Sequence, residues 1–282
     1  MFRKISAKDS DFNHLKNKHR IFLKSYEHFV ENTNLGYTRG VTKSSGKAHS
    51  YRDYLVRLFL LAEDFSKIEI DNPASVDALR LIENIKKFDG YKEYNKKESR
   101  FPNAALNYYI SFVSQILMDQ ETEIDNLSEQ LIDSKQKSVN NSKLFIENDV
   151  KSPEKRPEPV TVNNIKRYRR NLLEVRKAKI SADYICEYDN KHVTFVNNFD
   201  NNSYIEAHHL IPMATQGLFE YNIDFADNII CLCPNCHRRF HYGVKLDKTE
   251  MVQKFYKKRH EKIKSFKVDI RYNDLKLFYN IK

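Results

Sequence analysis

Four short stretches bring side chains able to do metal or acid–base chemistry close together along the chain: Glu206-Ala207-His208-His209, Asp227-Asn228, Cys231-Leu232-Cys233-Pro234-Asn235-Cys236, and His237 with His241. Residues four apart on an α-helix share a face, so His237 and His241 can bind one metal ion together with a third ligand. Pro234 suits the first turn of that helix, and His208 is the expected third imidazole. Cys233 and Cys236 have the knuckle spacing of structural zinc, which needs two further ligands for a closed tetrahedral site. Cys231 alternates with Cys233 along an expected strand and should face the other way, as a buried core thiol. The chain has four cysteines, and Cys186 is the first of them. Cysteines crowded among histidines indicate metal binding, where a secreted disulfide scaffold would spread them along the chain.

The order of these elements resembles the HNH nuclease family with the ββα-metal fold. In that fold a histidine pair ends one strand, an asparagine opens the next, and histidines follow on a helix. Within that family it looks like the McrA-like restriction endonucleases, and the nuclease domains of colicin-type toxins share the Glu-x-His-His, Asp-Asn-Ile and His-x-x-x-His elements. The resemblance covers roughly residues 165–265 and says almost nothing about residues 1–160. It implies that His208 binds the metal with His237 and His241. His209 then faces the scissile phosphate as general base, a role that suits an imidazole titrating near neutral pH. Asn228 is expected to fix the ring of His209, and Glu206 joins the catalytic group through a hydrogen bond to a ligand or a nearby arginine rather than as a proton carrier. The cofactors implied are one catalytic divalent metal (Mn, Ni, Co, Zn or Mg) and one structural Zn.

McrA-like chains usually supply a second Cys-x-x-Cys upstream, and here Cys186-Glu187-Tyr188-Asp189 has aspartate in place of the second cysteine. The expected zinc set is Cys186, His192, Cys233 and Cys236, with Asp189 as the other candidate for the fourth ligand. Arg238 and Arg239 beside the helix histidines are expected phosphate contacts. A different class of reading is a catalytically silent zinc-binding DNA-binding or regulatory protein.

These residues have to be held by elements, and 282 residues suggest about two domains at roughly 150 residues each. Apolar side chains recur at helical spacing over 51–66 (Tyr51, Leu55, Leu58, Leu61, Phe65) and 102–118 (Leu106, Tyr109, Ile110, Val113, Leu117). Between them Ser75 can cap a helix that stops near Gly90. Residues 1–120 are therefore expected to form a mainly α-helical domain for DNA recognition or dimerisation. Residues 121–163, rich in Ser, Asn, Lys, Glu and Pro, read as a flexible linker, and helical periodicity over 122–137 allows part of it to be a helix extending from the first domain.

Residues 164–282 are the expected nuclease domain, making the fold class α+β. The basic run Lys166-Arg167-Tyr168-Arg169-Arg170 should open a helix ending near Ile180. Strand-like runs follow at 193–196, 204–210 and 229–232, and the basic tail 251–267 should be helical.

The net charge of +10 points to a polyanionic partner, double-stranded DNA on the family resemblance. An apolar run of eighteen residues and a secretory leader are both absent, so a soluble, cytoplasmic chain with no membrane role is expected. The basic loop 36–47 could lie against a DNA backbone. It is not a phosphate-binding loop, because its glycine spacing is one residue too long and Ala48 stands where Ser or Thr is required. Two strands cut by one site per chain make a homodimer plausible on stoichiometric grounds.

Overall fold

The computed structural model describes residues 2–34, 46–135, 152–162, 165–168, 170–198 and 200–281. Most of the basic loop at 36–47 lies outside the described residues. The chain divides into two compact units, Met1–Ile116 and Leu117–Lys282.

The first unit is helical: α1 (Ser10–Lys18), α2 (Arg20–Asn34), α3 (Lys47–Ser66), α4 (Val76–Asn84), α5 (Tyr91–Lys97) and the start of α6 (Phe101–Lys135). The Ser75 hydroxyl accepts a hydrogen bond from the Ala78 N–H at 3.1 Å and caps α4 as its sequence position suggested. Gly90, at φ 88°, takes the left-handed turn between the end of that segment and α5. The core is aromatic and aliphatic, with Phe12, Leu23, Tyr26, Leu55, Leu58, Phe59 and Tyr109 fully buried. Tyr26 and Tyr109 keep their hydroxyls satisfied by donating to the Ala105 and Pro73 carbonyls at 2.9 and 2.8 Å.

Both ends of the expected linker are built into structure, the first as the helical extension its periodicity allowed. No glycine or proline occurs between Asn103 and Lys135, so nothing interrupts the ladder of α6, which continues to Lys135. Downstream, residues 154–156 pair with 220–222. Asn222 N–H donates to the Glu154 carbonyl at 2.9 Å, Arg156 N–H donates to the Glu220 carbonyl at 3.0 Å, and the Arg156 guanidinium reaches the Gly217 and Phe219 carbonyls.

The second unit contains a hairpin of β1 (Val160–Val162) and β2 (Ile165–Arg167), then α7 (Leu172–Ser181), β3 (Glu206–His209), β4 (Ile229–Leu232), α8 (Pro234–Tyr242), α9 (Lys245–Ser265) and α10 (Tyr272–Phe278). The helix expected from Lys166 starts instead at Leu172. Residues 165–167 are taken up by the hairpin, and the Asn171 side chain accepts from Leu173 N–H at 3.1 Å as the cap. At 193–196 the expected strand is reduced to a single bridge, Val196 with Ser203.

β3 and β4 pair antiparallel, with His208 opposite Ile230 and His209 opposite Ile229. Ala207, Ile229 and Cys231 pack with Val175 and Ala178 of α7 in one buried cluster. Cys231 is thus the core thiol its alternation with Cys233 predicted.

Candidate active site and metal centres

A strand turns successive side chains to opposite faces. In β3 this places Glu206 and His208 on one side and Ala207 and His209 on the other. α8 brings His237 and His241 one turn apart to the first of these sides. The rings of His208, His237 and His241 form a near-equilateral triangle with centroids 4.8–5.1 Å apart. One ligand nitrogen from each lies within 4.8 Å of the others, and all three residues are buried.

The protonation of the trio follows from its partners. His237 Nδ1 lies 2.6 Å from a Glu206 carboxylate oxygen. A carboxylate only accepts, so Nδ1 carries a proton and Nε2 is the nitrogen left to face a metal ion. That Nε2 faces His241 Nε2 at 3.1 Å. Burial would raise Glu206, but the hydrogen bond and charge of His237 outweigh it and hold the carboxyl below its usual range. Burial, followed by the neighbouring imidazoles, pushes His208 well down and His241 to about 3. A metal ion requires unprotonated ligand nitrogens, the form that burial favours in His208 and His241. The charge of Arg170 also reaches both His208 and His241.

His209 faces away from this triangle. Its Nε2 lies 2.8 Å from Asp224 Oδ1, with the two side chains only 1% and 2% exposed. The other Asp224 oxygen accepts the Asn171 N–H at the start of α7. The Asn228 amide does not orient His209 as the sequence reading expected. Asn228 is fully buried and spends its amide on backbone: Oδ1 accepts Ile211 N–H at 2.8 Å, and Nδ2 donates to the Ile211 and Ile223 carbonyls at 3.1 and 2.8 Å. It closes the loop that carries Asp224, while Asp224 holds the ring.

A second cluster gathers Cys186, His192, Cys233 and Cys236 within 4.8 Å. His192 Nδ1 lies 3.5 Å from Cys233 Sγ and 3.3 Å from Cys236 Sγ. Tetrahedral zinc, with bonds of about 2.0–2.3 Å, separates its ligands by about 3.3–3.8 Å, so the spacing fits. The hydrogen bond with Cys236 draws the Cys186 thiol down to about 4, and the same pairing pushes Cys236 up. A cation relieves this competition for one proton among neighbouring sulfurs. Asp189 stands behind His192, 3.7 Å from its Nε2. Of the two candidates for the fourth position, the structure therefore puts His192 in the cluster and Asp189 outside it.

A family model described as HNH endonuclease matches residues 185–244. Residues 185–244 are an HNH endonuclease domain. The chain is 34% identical over 122 residues to a type IV methyl-directed restriction enzyme, EcoKMcrA, of Escherichia coli (strain K12). That alignment covers 43% of this chain and 42% of the relative, so the chain spans less than half the length of the curated protein it matches.

The two arginines of the HNH domain that were expected to contact phosphate have different surroundings. Arg238 is exposed. Arg239 is engaged within the protein: it pairs with Asp247 at 2.7 Å, donates to the Tyr188 hydroxyl at 3.2 Å and lies over that ring. This ties α8 to α9. The basic tail is also partly internal, since Lys258 and Arg259 pair with Glu187, and Arg259 and Lys262 with Asp227. Sequence reading missed Asp224, Arg170 and Tyr279. Asp224 looks like an ordinary turn residue, and Tyr279 lies seventy-one residues from the histidine it touches.

Proposed function

We propose that this protein is a metal-dependent DNA endonuclease of restriction or phage-defence type, acting in the cytoplasm on double-stranded DNA. The observation that carries this reading is the convergence of His208, His237 and His241 inside an HNH domain. These three would hold a divalent cation (Mn, Ni, Co, Zn or Mg), and Cys186, His192, Cys233 and Cys236 a structural Zn. When bound, the catalytic ion supplies Lewis acidity at the scissile phosphate and its leaving oxygen.

The chain's own residues do the rest. Glu206 fixes the His237 ring. Asp224 accepts from Nε2–H of His209, so Nδ1 is the atom that takes a proton from the attacking water as the P–O3′ bond breaks, and the carboxylate stabilises the resulting imidazolium. Arg170 and the exposed Arg238 supply positive charge for the phosphate. On family analogy the products carry 5′-phosphate and 3′-hydroxyl ends. Selection of modified DNA, and a homodimer that cuts both strands, belong to the same proposal; the related enzyme's methyl-directed description supports the first.

The burial of His209 favours a second reading, in which the His209–Asp224 pair is structural and the protein is a silent zinc-binding DNA-binding module. Cleavage of unmodified and cytosine-modified plasmid with Mn²⁺, Ni²⁺ or Mg²⁺ separates the two. On the first reading wild type cuts and His209→Ala does not, with zinc content unchanged. If the two proteins give the same result on every substrate, the base assignment is wrong.

A further inference from the structure

The C-terminal segment, outside the matched HNH span, reaches into the histidine centre. Asn280 takes the left-handed conformation at φ 54°. Its N–H donates to the Leu277 carbonyl at 3.1 Å, and Ile281 N–H donates back to the Lys276 carbonyl at 2.9 Å. This pair of bonds is a Schellman motif, and it sets Tyr279 as the residue that caps α10. Leu275, Phe278 and Ile281 are buried around it. Tyr279 is itself buried, with its ring 4.9 Å from that of Phe240, which lies between the two histidines on α8.

Its hydroxyl meets three groups: the Leu210 carbonyl at 2.8 Å, the His209 carbonyl at 3.2 Å and His208 Nε2 at 2.9 Å. A tyrosine phenol keeps its proton at neutral pH. A phenol has one hydrogen to donate, and carbonyls can only accept. With that hydrogen directed to the carbonyls, the remaining contact requires Nε2 of His208 to be the donor.

We propose that Tyr279 is a positioning residue of the histidine centre, holding His208 in its Nε2–H tautomer so that Nδ1 is the nitrogen offered to a metal ion. The inference rests on the reading of His208, His237 and His241 as a metal-binding set. It makes the ligands asymmetric, with Nδ1 from the strand and Nε2 from His237 on the helix. It also makes α10 part of the site rather than an appendage. Outer partners of ligating imidazoles act by fixing tautomer and ring orientation, and their loss typically weakens metal binding by about 10–100-fold.

The test is made on the full chain, with the cysteine site loaded with zinc and the histidine site empty, titrated with Co²⁺ and followed by its visible absorption. Tyr279→Phe retains the ring and removes only the hydroxyl. It should bind Co²⁺ about tenfold more weakly or worse, with zinc content and thermal midpoint near wild type. Nitrogen-15 spectra of the wild type loaded with Zn²⁺ should show His208 ligating through Nδ1 with a proton on Nε2, a readout that needs no variant. Equal Co²⁺ affinity in Tyr279→Phe, or ligation of His208 through Nε2, overturns the proposal. The failure of the underlying reading looks different: wild type and His241→Ala would then respond to Co²⁺ identically.

Discussion

At the residue scale, the buried contact between His209 and Asp224 decides how the second histidine of the pair can act. A carboxylate on Nε2 selects one tautomer and stabilises the charged ring, whereas an amide in its place can still accept the Nε2 hydrogen but carries no charge. Asp224→Asn is therefore expected to lower kcat by about 10²–10⁴-fold, the usual worth of general acid–base assistance, while KM for plasmid changes little. Steady-state cleavage by the two proteins checks this. A proportional rise in KM, or no change in either constant, would show the carboxylate to be structural. The histidine triangle, the Cys-x-x-Cys pair and the solitary Cys231 were legible from residue type and spacing. Asp224 was not, because an aspartate beside Asn222 in a turn carries no signal of the ring it will meet.

At the scale of elements, α8 holds both centres at once. Cys233 and Cys236 lie at its start, and His237 and His241 project one turn apart from its inner face. Its end depends on Gly243, where an added Cβ would lie 2.4 Å from the Arg239 carbonyl oxygen, itself the acceptor of the Gly243 N–H at 2.8 Å. Backbone cannot yield cheaply at that distance. Gly243→Ala should cost on the order of 1–3 kcal/mol and loosen His241 two residues upstream. Thermal unfolding and metal binding at the histidine site should fall together. An unchanged midpoint would mean that the helix end adjusts freely. Periodicity and cap chemistry predicted α3, α4, α8 and the helical tail well. They failed at Lys166–Arg167, where pairing between β1 and β2 overrode helical propensity, whereas the helical periodicity over 122–137 continues in α6 as far as Lys135.

At the scale of the whole molecule, buried imidazoles couple stability to pH. With the histidine centre metal-free, burial lowers His208 far below its usual range and His241 to about 3, and it also lowers His19 in the first unit. Unfolded histidines titrate near about 6.5, so from there downward the unfolded chain binds more protons than the folded one. Stability should hold above about pH 6.5 and decline as the pH falls towards 3. Glu206, held low by His237, adds a loss of the same sign further down. Urea midpoints at pH 7.5, 6 and 5 check this, and a midpoint that rises on acidification contradicts it. Among the described residues no helix is long and apolar enough to cross a membrane.

What the sequence determined by itself is the chemistry available: which side chains can bind metals, in what order, and on which kinds of element, because spacing along a helix or strand is local geometry. The tertiary structure decided the partners. His192 rather than Asp189 joins the cysteines, Asp224 rather than Asn228 takes the ring of His209, and Tyr279 closes on His208. Each of these choices joins residues between 6 and 71 positions apart through the path of a loop or the cap of a helix. Such contacts are set by packing and by the need to satisfy buried donors and acceptors, which side-chain identity and spacing do not encode.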